Sequence, residues 1–172
     1  MTGEIYKHLN SENIQRLLTL KNSILSEIYS LLKKEKAIDG TFLKFETDLK
    51  NKKLKPQFTL VYKNINGNKE LIGVATEYTY YSNRQKKEIF TLHNLTISKA
   101  HRTERLELEL LDFVSKQCRK QGFLNLNINL DERLEKILEK LIKQKRANSE
   151  NAANTKRKTT KTKRLKTSTK PK

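Results

Sequence analysis

Residues 102–111 read RTERLELELL, and the spacing of the apolar residues in and after this stretch decides the local fold. Apolar side chains recur three and four residues apart as far as Lys120, which predicts an amphipathic helix over residues 103–120. Gly122 stands where a helix often ends on a glycine with positive φ. The apolar stripe of this helix consists of Leu106, Leu110, Phe113, Val114 and Cys118.

Three strand patterns precede this helix. Residues 57–63 are typical of a strand, Asn66-Gly67 is a strong hairpin signal, and residues 70–81 are rich in β-branched and aromatic side chains. A third strand is predicted from about residue 88 to residue 97. The sequence therefore predicts three successive antiparallel strands.

Another strand and another helix follow. Apolar residues alternate with asparagines over residues 124–130, which predicts a strand with one apolar face. Residues 134–142 return to helical spacing, and Asn129 with Glu132 resembles a capping box at the start of that helix. Because crossovers between parallel strands of one sheet are almost always right-handed, we expect residues 88–130 to form a right-handed strand-helix-strand unit.

The N-terminal quarter of the chain favours helix. Apolar residues over positions 14–32 repeat at helical spacing, and Ser11 or Asn10 is placed to cap the start of one long helix or two short ones. The pattern ends before Asp39-Gly40. Residues 41–55 are ambiguous, because their two phenylalanines suit either a short strand or a short helix.

The positive charge of the chain is unevenly distributed. Residues 145–172 contain eleven Lys or Arg and one acid, so +10 of the formal net charge of +18 lies there. Such a segment cannot bury enough apolar surface to offset the entropy of ordering it. We therefore predict a folded domain over residues 1–144 and a disordered basic tail over residues 145–172. The tail is either a solvated segment, a contact for the ribosome, RNA or DNA, or a nuclear-import signal through Lys156-Arg157-Lys158.

Composition argues against several classes of protein. Cys118 is the only cysteine, which excludes an intrachain disulfide and a thiolate zinc cluster and favours a reducing compartment. No metal site is predicted. The start of the chain has no apolar run of signal length, and no stretch approaches about 18 apolar residues, so we expect no membrane contact. These features predict a cytoplasmic protein, or a nuclear one if the tail directs import.

The order of predicted elements resembles that of the GNAT superfamily of acyl-CoA N-acetyltransferases, in which helices and antiparallel strands precede a βαβα unit. The cofactor motif of that family is written R-G-x-G-I-G-x-x-L-L, and residues 102–111 resemble it at Arg102, Leu106, Leu110 and Leu111. Residues 71–75, LIGVA, resemble the hxGxh strand of the family. The resemblance covers about residues 58–141. It implies an α/β (α+β) fold with a GNAT-like mixed sheet.

The family's fold normally adds two further strands, which close the substrate cleft. Residues 145–172 contain no strand-like run. We therefore expect a sheet truncated at its C-terminal strands, with an exposed edge that a partner subunit or a second copy covers.

The resemblance implies an acetyl-CoA site at the start of the helix, where backbone N–H groups would hold the pyrophosphate. Its cofactor-binding residues would be Arg102, Thr103, Glu104, Arg105, Leu106 and Glu107. Glycines let the chain approach the phosphates closely, yet Thr103, Arg105 and Glu107 replace all three.

The acidic residues of this turn also weaken the expected binding of phosphate. A carboxylate about 6 Å from a phosphate charge costs roughly 2–3 kcal/mol at an effective dielectric near 20, and Arg102 and Arg105 would offset part of it. The alternative interpretation is helix capping, since acids in a first turn stabilise the helix dipole without any ligand.

Within the superfamily, the N-terminal half resembles the catalytic subunit of the NatE-type N-terminal acetyltransferase. This resemblance implies substrate contacts at Leu25 and Tyr29. In that subunit two residues act as catalytic bases, and they align with Glu88 and with Asn127 or Asn129. Glu88 is the candidate base, because other members of the superfamily use a strand glutamate as base.

Two further positions bear on catalysis. Leu138 stands where many GNAT enzymes have a tyrosine, so that position supplies no hydroxyl. His93 lies in the middle of a strand and is interpreted as a core or surface residue.

Three functions remain open. The leading hypothesis is a divergent GNAT-fold homologue that acts as a weak or non-catalytic subunit of a NatA/NatE-like complex near the ribosome. The second is an active acetyl-CoA-dependent N-acetyltransferase with a remodelled cofactor turn. The third is an RNA-, DNA- or ribosome-binding protein that acts through its basic tail.

Overall fold

The computed structural model describes residues 4–51, 53–128, 135–140 and 142–143. The predicted tail over residues 145–172 and the predicted capping box of Asn129 and Glu132 lie outside these residues. In the described residues, the mixed α/β architecture confirms the predicted fold class.

The first element of the described chain is a strand that was not predicted from the sequence. This strand, β1 (Ile5–Leu9), pairs antiparallel with β2 (Lys55–Ile65). Its residues carry no clear alternation of apolar and polar side chains, and its place in the sheet comes from long-range pairing.

Two short helices follow β1, as one of the two alternatives predicted. They are α1 (Ser11–Thr19) and α2 (Ser23–Lys34). Asn10, rather than Ser11, is the N-cap of α1, and it forms a reciprocal capping box with Asn13. At the other end of α2, Lys36 has a φ of 56° and the Ala37 N–H donates to the Leu32 carbonyl, so the helix ends in a Schellman motif.

The ambiguous segment is a helix. This helix, α3 (Phe42–Leu49), has Thr41 as its N-cap, and the Thr41 hydroxyl accepts from the Lys44 N–H. Phe42 and Phe45 both pack against the ring of Tyr29 on α2, at centroid distances of 5.3 and 5.7 Å. Tertiary packing of the two phenylalanines therefore favours helix over strand here.

The predicted antiparallel strands are confirmed. They are β2, β3 (Asn68–Ser82) and β4 (Lys87–Ile97), and each pairs with the next along the chain. Asn66 and Gly67 have φ angles of 52° and 83°, as a tight hairpin turn requires. Within the described residues the sheet has five strands in the order β1-β2-β3-β4-β5.

The predicted helix is α4 (Glu104–Lys120), with Thr103 as its N-cap. Gly122 has a φ of 85°, and the Phe123 N–H donates to the Cys118 carbonyl, so the predicted glycine ending is confirmed. The strand after the helix, β5 (Asn127–Ile128), pairs parallel with β4, as expected for a strand-helix-strand unit.

The prediction that Leu124 belongs to the apolar face of the strand over residues 124–130 is wrong. Leu124 is 93% exposed, because it lies in the turn before the strand begins at Asn127. Leu126 and Ile128 do pack against the core, while Leu130 lies outside the described residues. Residues 135–140 and 142–143 are helical, and Ile137 is buried against α4 and the sheet, in agreement with the final helix predicted.

The sheet separates two apolar cores. On one face lie α4 and the residues packed under it, which include Phe90, Leu92, Leu110 and Val114. On the other face lie the three N-terminal helices, with Ile14, Ile28, Phe58 and Val74 among the buried residues.

An irregularity in β4 changes which side chains reach each face. Thr76 of β3 pairs with Asn94, while Glu77 pairs with Leu92, so His93 is an extra residue in a β-bulge. The bulge interrupts the strict alternation of side chains along β4. Leu92 and Leu95 therefore both face α4, while Thr91 and His93, two residues apart, line the face that carries the N-terminal helices.

Candidate functional site

The turn between β4 and α4 is held by a buried carboxylate from α2. Glu35 lies just after α2, and its side chain is 3% exposed. Its Oε1 accepts from the Lys99 N–H at 3.1 Å, and its Oε2 lies 3.5 Å from Arg102 Nη2. Arg102 also donates to the Ile97 carbonyl at 2.8 Å. The guanidinium that would be a phosphate ligand is thus bound to the carboxyl end of β4.

The first turn of α4 is likewise occupied by the chain's own side chains. The Thr103 hydroxyl accepts from the Leu106 N–H at 3.2 Å, which uses one N–H group of the helix start. Glu104 is bound by Lys140 at 2.7 Å, and Arg105 is bound by Glu109 at 2.7 Å. Glu107 is only 7% exposed, and the Leu106 side chain is buried in the core.

These contacts leave an N-terminus of α4 that suits a capped helix better than a phosphate site. Glu104 and Glu107 place carboxylates in the first turn, where they stabilise the helix dipole. Both guanidinium groups of the turn already have carboxylate partners. A pyrophosphate at this position would therefore meet two negative charges and would have to displace two ion pairs.

Glu88 lies far from this turn. It is at the start of β4, nine residues before Ile97, which corresponds to about 30 Å along an extended strand. Its carboxylate is about half exposed and is bound by Lys55 Nζ at 2.7 Å. The structure thus does not bring the predicted base and the predicted cofactor-binding residues together.

The predicted substrate contacts belong to the packing of the N-terminal helices. Leu25 is 1% exposed in the core under α2. Tyr29 donates its hydroxyl hydrogen to the Gly40 carbonyl at 2.9 Å and packs its ring on α3. Leu25 also lines a cavity of about 340 Å³ between the start of α2 and Phe42, whereas Tyr29 does not.

A larger cavity, of about 700 Å³, lies at the other end of β4, next to the bulge. This cavity was not predicted from the sequence, because its walls come from parts of the chain that are far apart in sequence: α3, the segment after α3, and three strands. Its lining residues are Asp48, Asn51, Leu54, Tyr78, Tyr80, Gln85, Ile89, Thr91, His93, Asn127 and Ile128. The sequence signal that could have indicated the cavity is the spacing of Tyr78 and Tyr80, because residues two apart in a strand place their rings on the same face.

The electrostatics of this cavity combine an aromatic wall with polar groups. His93 packs edge-on to Tyr78 at a centroid distance of 5.6 Å. Burial and, second, the nearby charge of Asp48 raise the pKa of Tyr78, so its hydroxyl stays protonated near neutral pH. Among the described residues, the buried Thr91 Oγ1 has no hydrogen-bond partner. This cavity, which we call the β4 cavity, therefore has both stacking surfaces and polar groups for a ligand.

A second polar cluster lies on the opposite face of the sheet, under the end of α4. Glu77 is fully buried, and its Oε2 lies 3.6 Å from His8 Nδ1. His8 Nε2 also contacts the Gln57 side chain at 3.1 Å, and Gln57 bonds to Gln121 after α4. Burial raises the pKa of Glu77 to about 8 and lowers the pKa of His8, so both groups favour their neutral forms in the folded protein.

The described residues offer neither a metal site nor a membrane-spanning helix. They contain no cluster of three or more His, Cys, Asp or Glu side chains arranged to hold a metal ion. Nor does any helix in this part of the chain have the length and apolarity needed to cross a membrane.

Neither a scan against protein-family models nor a search of curated proteins finds a match to this sequence. Solved structures with a similar fold are found among acetyltransferases. A GNAT family acetyltransferase from Staphylococcus aureus is 13% identical, with a TM-score of 0.51, over 77% of this chain and 90% of that chain.

Two other solved structures show the same likeness. An aminoglycoside acetyltransferase from an uncultured soil metagenomic sample is 10% identical, with a TM-score of 0.51, over 79% of this chain and 83% of that chain. A GCN5-related glucosamine N-acetyltransferase region of a fungal multi-domain GH3 β-N-acetylglucosaminidase is 13% identical, with a TM-score of 0.54. That match covers 77% of this chain and 14% of that chain.

These likenesses define the class of fold, in agreement with the order of strands and helices. The protein has the fold of GNAT acetyltransferases. At 10–13% identity the likeness extends to the fold alone, and the resemblance to the NatE-type subunit stays a prediction.

Proposed function

We propose that this chain is a GNAT-fold protein that does not use acetyl-CoA and that acts as a non-catalytic binding subunit. The observation that carries the proposal is the start of α4. There, Glu35 and Glu109 bind the two arginines, Thr103 caps the helix, and Glu104 is paired with Lys140.

The residues of this turn do not fit the cofactor. A pyrophosphate site needs free N–H groups and a chain that can approach the phosphates closely. Here Thr103, Arg105 and Glu107 bring side chains to all three glycine positions of the motif. The acids in the turn repel phosphate by roughly 2–3 kcal/mol per close charge, or up to about two decades of affinity.

The proposed partner is another protein of an N-terminal acetyltransferase complex. This finer step is supported by the sequence resemblance to the NatE-type subunit and by the basic character of the chain, which suits a position near ribosomal RNA. A divergent subunit that lacks its own cofactor would still offer the surface of the fold to a catalytic partner.

An active acetyltransferase is the second candidate, because the β4 cavity offers a polar, aromatic pocket beside the strand bulge. His93 and Tyr78 would then be available for proton transfer to or from an acceptor. This candidate requires a cofactor turn that opens by breaking the contacts of Arg102 and Arg105.

Isothermal titration calorimetry with acetyl-CoA separates the two candidates. The full-length chain is titrated beside an active GNAT-fold acetyltransferase as the positive control. We expect no heat of binding at millimolar acetyl-CoA. Binding tighter than about 100 μM, or −5.5 kcal/mol, would reject the non-catalytic proposal.

A further inference from the structure

The β4 cavity has the composition of a site for a planar, polar ring. Tyr78 and Tyr80 lie two residues apart on one face of β3, and His93 packs against Tyr78 from the bulge of β4. Aromatic side chains of this kind stack on nucleobases of any sequence. The volume, about 700 Å³, is within the range of cavities that take up small ligands.

Polar groups are placed around the aromatic wall. Asn51, Gln85 and Asn127 line the cavity with amide side chains, and Asp48 adds a carboxylate. Each amide offers both a donor and an acceptor, and a carboxylate accepts from an amino group. Among the described residues, the Thr91 hydroxyl in the same wall lacks a hydrogen-bond partner although it is buried. A base edge presents the matching donors and acceptors.

Basic side chains lie at the same end of the sheet. Lys55 is opposite Thr79, and Lys87 is opposite Ser82, in the strands that form the cavity. The connecting segments add further exposed cations, so this end of the sheet is positively charged. We call Lys50, Lys53, Lys55, Arg84, Lys86 and Lys87 the basic rim. Within it, Lys55 is neutralised by Glu88.

We propose that the β4 cavity binds single-stranded nucleic acid, with one unpaired base against Tyr80 and the adjoining phosphates on the basic rim. Phosphate contacts from lysine and arginine supply affinity, and stacking makes the binding selective for unpaired strands. The aromatic wall favours a base over an acidic peptide, whose carboxylates would face Asp48. This proposal does not depend on the loss of acetyl-CoA binding.

The test is fluorescence anisotropy with the full-length chain and a labelled eight-nucleotide cytidine strand, as RNA and as DNA, at several salt concentrations. Tyr80→Ala should weaken binding roughly tenfold through lost stacking. His93→Ala, at an exposed position, tests the same wall with less risk to folding. RNA and DNA results that differ would show which strand the cavity prefers.

Charge variants complete the experiment. Lys53→Gln with Lys87→Gln should lower the salt slope of binding by about 1.4, since each phosphate contact on a single strand contributes about 0.7. The matched control is Lys33→Gln with Lys36→Gln, which removes the same charge at the end of α2, beside Glu35 and the other end of β4. The control should leave binding almost unchanged. The tail is present in every variant, so its contribution cancels.

Three results would overturn the proposal. The first is binding that neither Tyr80→Ala nor His93→Ala alters. The second is an equal loss in the rim variant and in its control, which would mean diffuse attraction to the whole chain. The third is equal competition by an octamer of aspartate, which would assign the surface to acidic peptides.

Discussion

Glu77 is a carboxylate with no exposure to solvent, and its neighbours determine its charge. His8 faces it from β1 at 3.6 Å, and the Cys118 thiol lies nearby on α4. Burial raises the pKa of Glu77 from 4.5 to about 8, although the Thr59 hydroxyl opposes part of that rise. Burial also raises the pKa of Cys118, with the Glu77 charge as the second cause. The folded protein therefore favours a protonated Glu77 near neutral pH.

Glu77→Gln should stabilise the protein at alkaline pH. Between pH 4.5 and about 8 the unfolded chain binds fewer protons at this residue than the folded chain, so the residue's contribution to stability falls as pH rises. Glutamine does not titrate. We expect the variant to gain roughly 1–4 kcal/mol over the wild type from pH 5 to pH 9.

Urea unfolding at pH 5, 7 and 9 measures this difference. His8 contacts Glu77, and its lowered pKa destabilises the folded protein only below about pH 6.5, so the change between pH 7 and pH 9 reports the titration of Glu77. A difference in unfolding free energy that stays constant with pH would show that Glu77 has an ordinary pKa.

Glu35 is a second buried carboxylate, and it holds the turn between β4 and α4 through Lys99 and Arg102. Glu35→Ala removes the acceptor of the Lys99 N–H and the partner of Arg102, and it should cost about 1–3 kcal/mol in unfolding free energy. Glu35→Gln keeps an acceptor for Lys99 and should lose less. Equal stability of the wild type and both variants by urea unfolding would mean that the carboxylate does not hold the turn.

Among the elements, the apolar stripe of α4 and its ending at Gly122 were predicted because both signals are local. Thr103 was predicted as the first helical residue, whereas the structure makes it the N-cap. Strand β1 was missed because its place depends on pairing with β2, more than 40 residues away. The helical state of α3 depends on contacts of Phe42 and Phe45 with Tyr29, which no local pattern encodes.

The cap of α4 gives a prediction at the same scale. Thr103→Ala should destabilise the protein by about 1 kcal/mol, because the Leu106 N–H loses its acceptor. Thr103→Ser keeps a hydroxyl and should stay close to the wild type. Thermal unfolding of the three proteins provides the comparison, and a serine variant as unstable as the alanine variant would argue against the capping bond.

For the whole molecule, the two candidate sites lie on different sides of the sheet. The helix α4, whose start resembles the cofactor motif, packs on one face, while the β4 cavity lies on the face with the N-terminal helices. The sequence was sufficient to predict the turn, because its ten residues are contiguous. It did not predict the cavity, because Asp48, Tyr78 and Asn127 come from distant parts of the chain.

The chain's own side chains occupy the start of α4, and we expect them to exclude acetyl-CoA. Backbone amide spectra of the ¹⁵N-labelled full-length protein, recorded during a titration with acetyl-CoA to millimolar concentration, test it directly. We expect the amide signals of Lys99 and of residues 103–107 to stay in place. Saturable shifts at those amides, with a dissociation constant below about 100 μM, would contradict it.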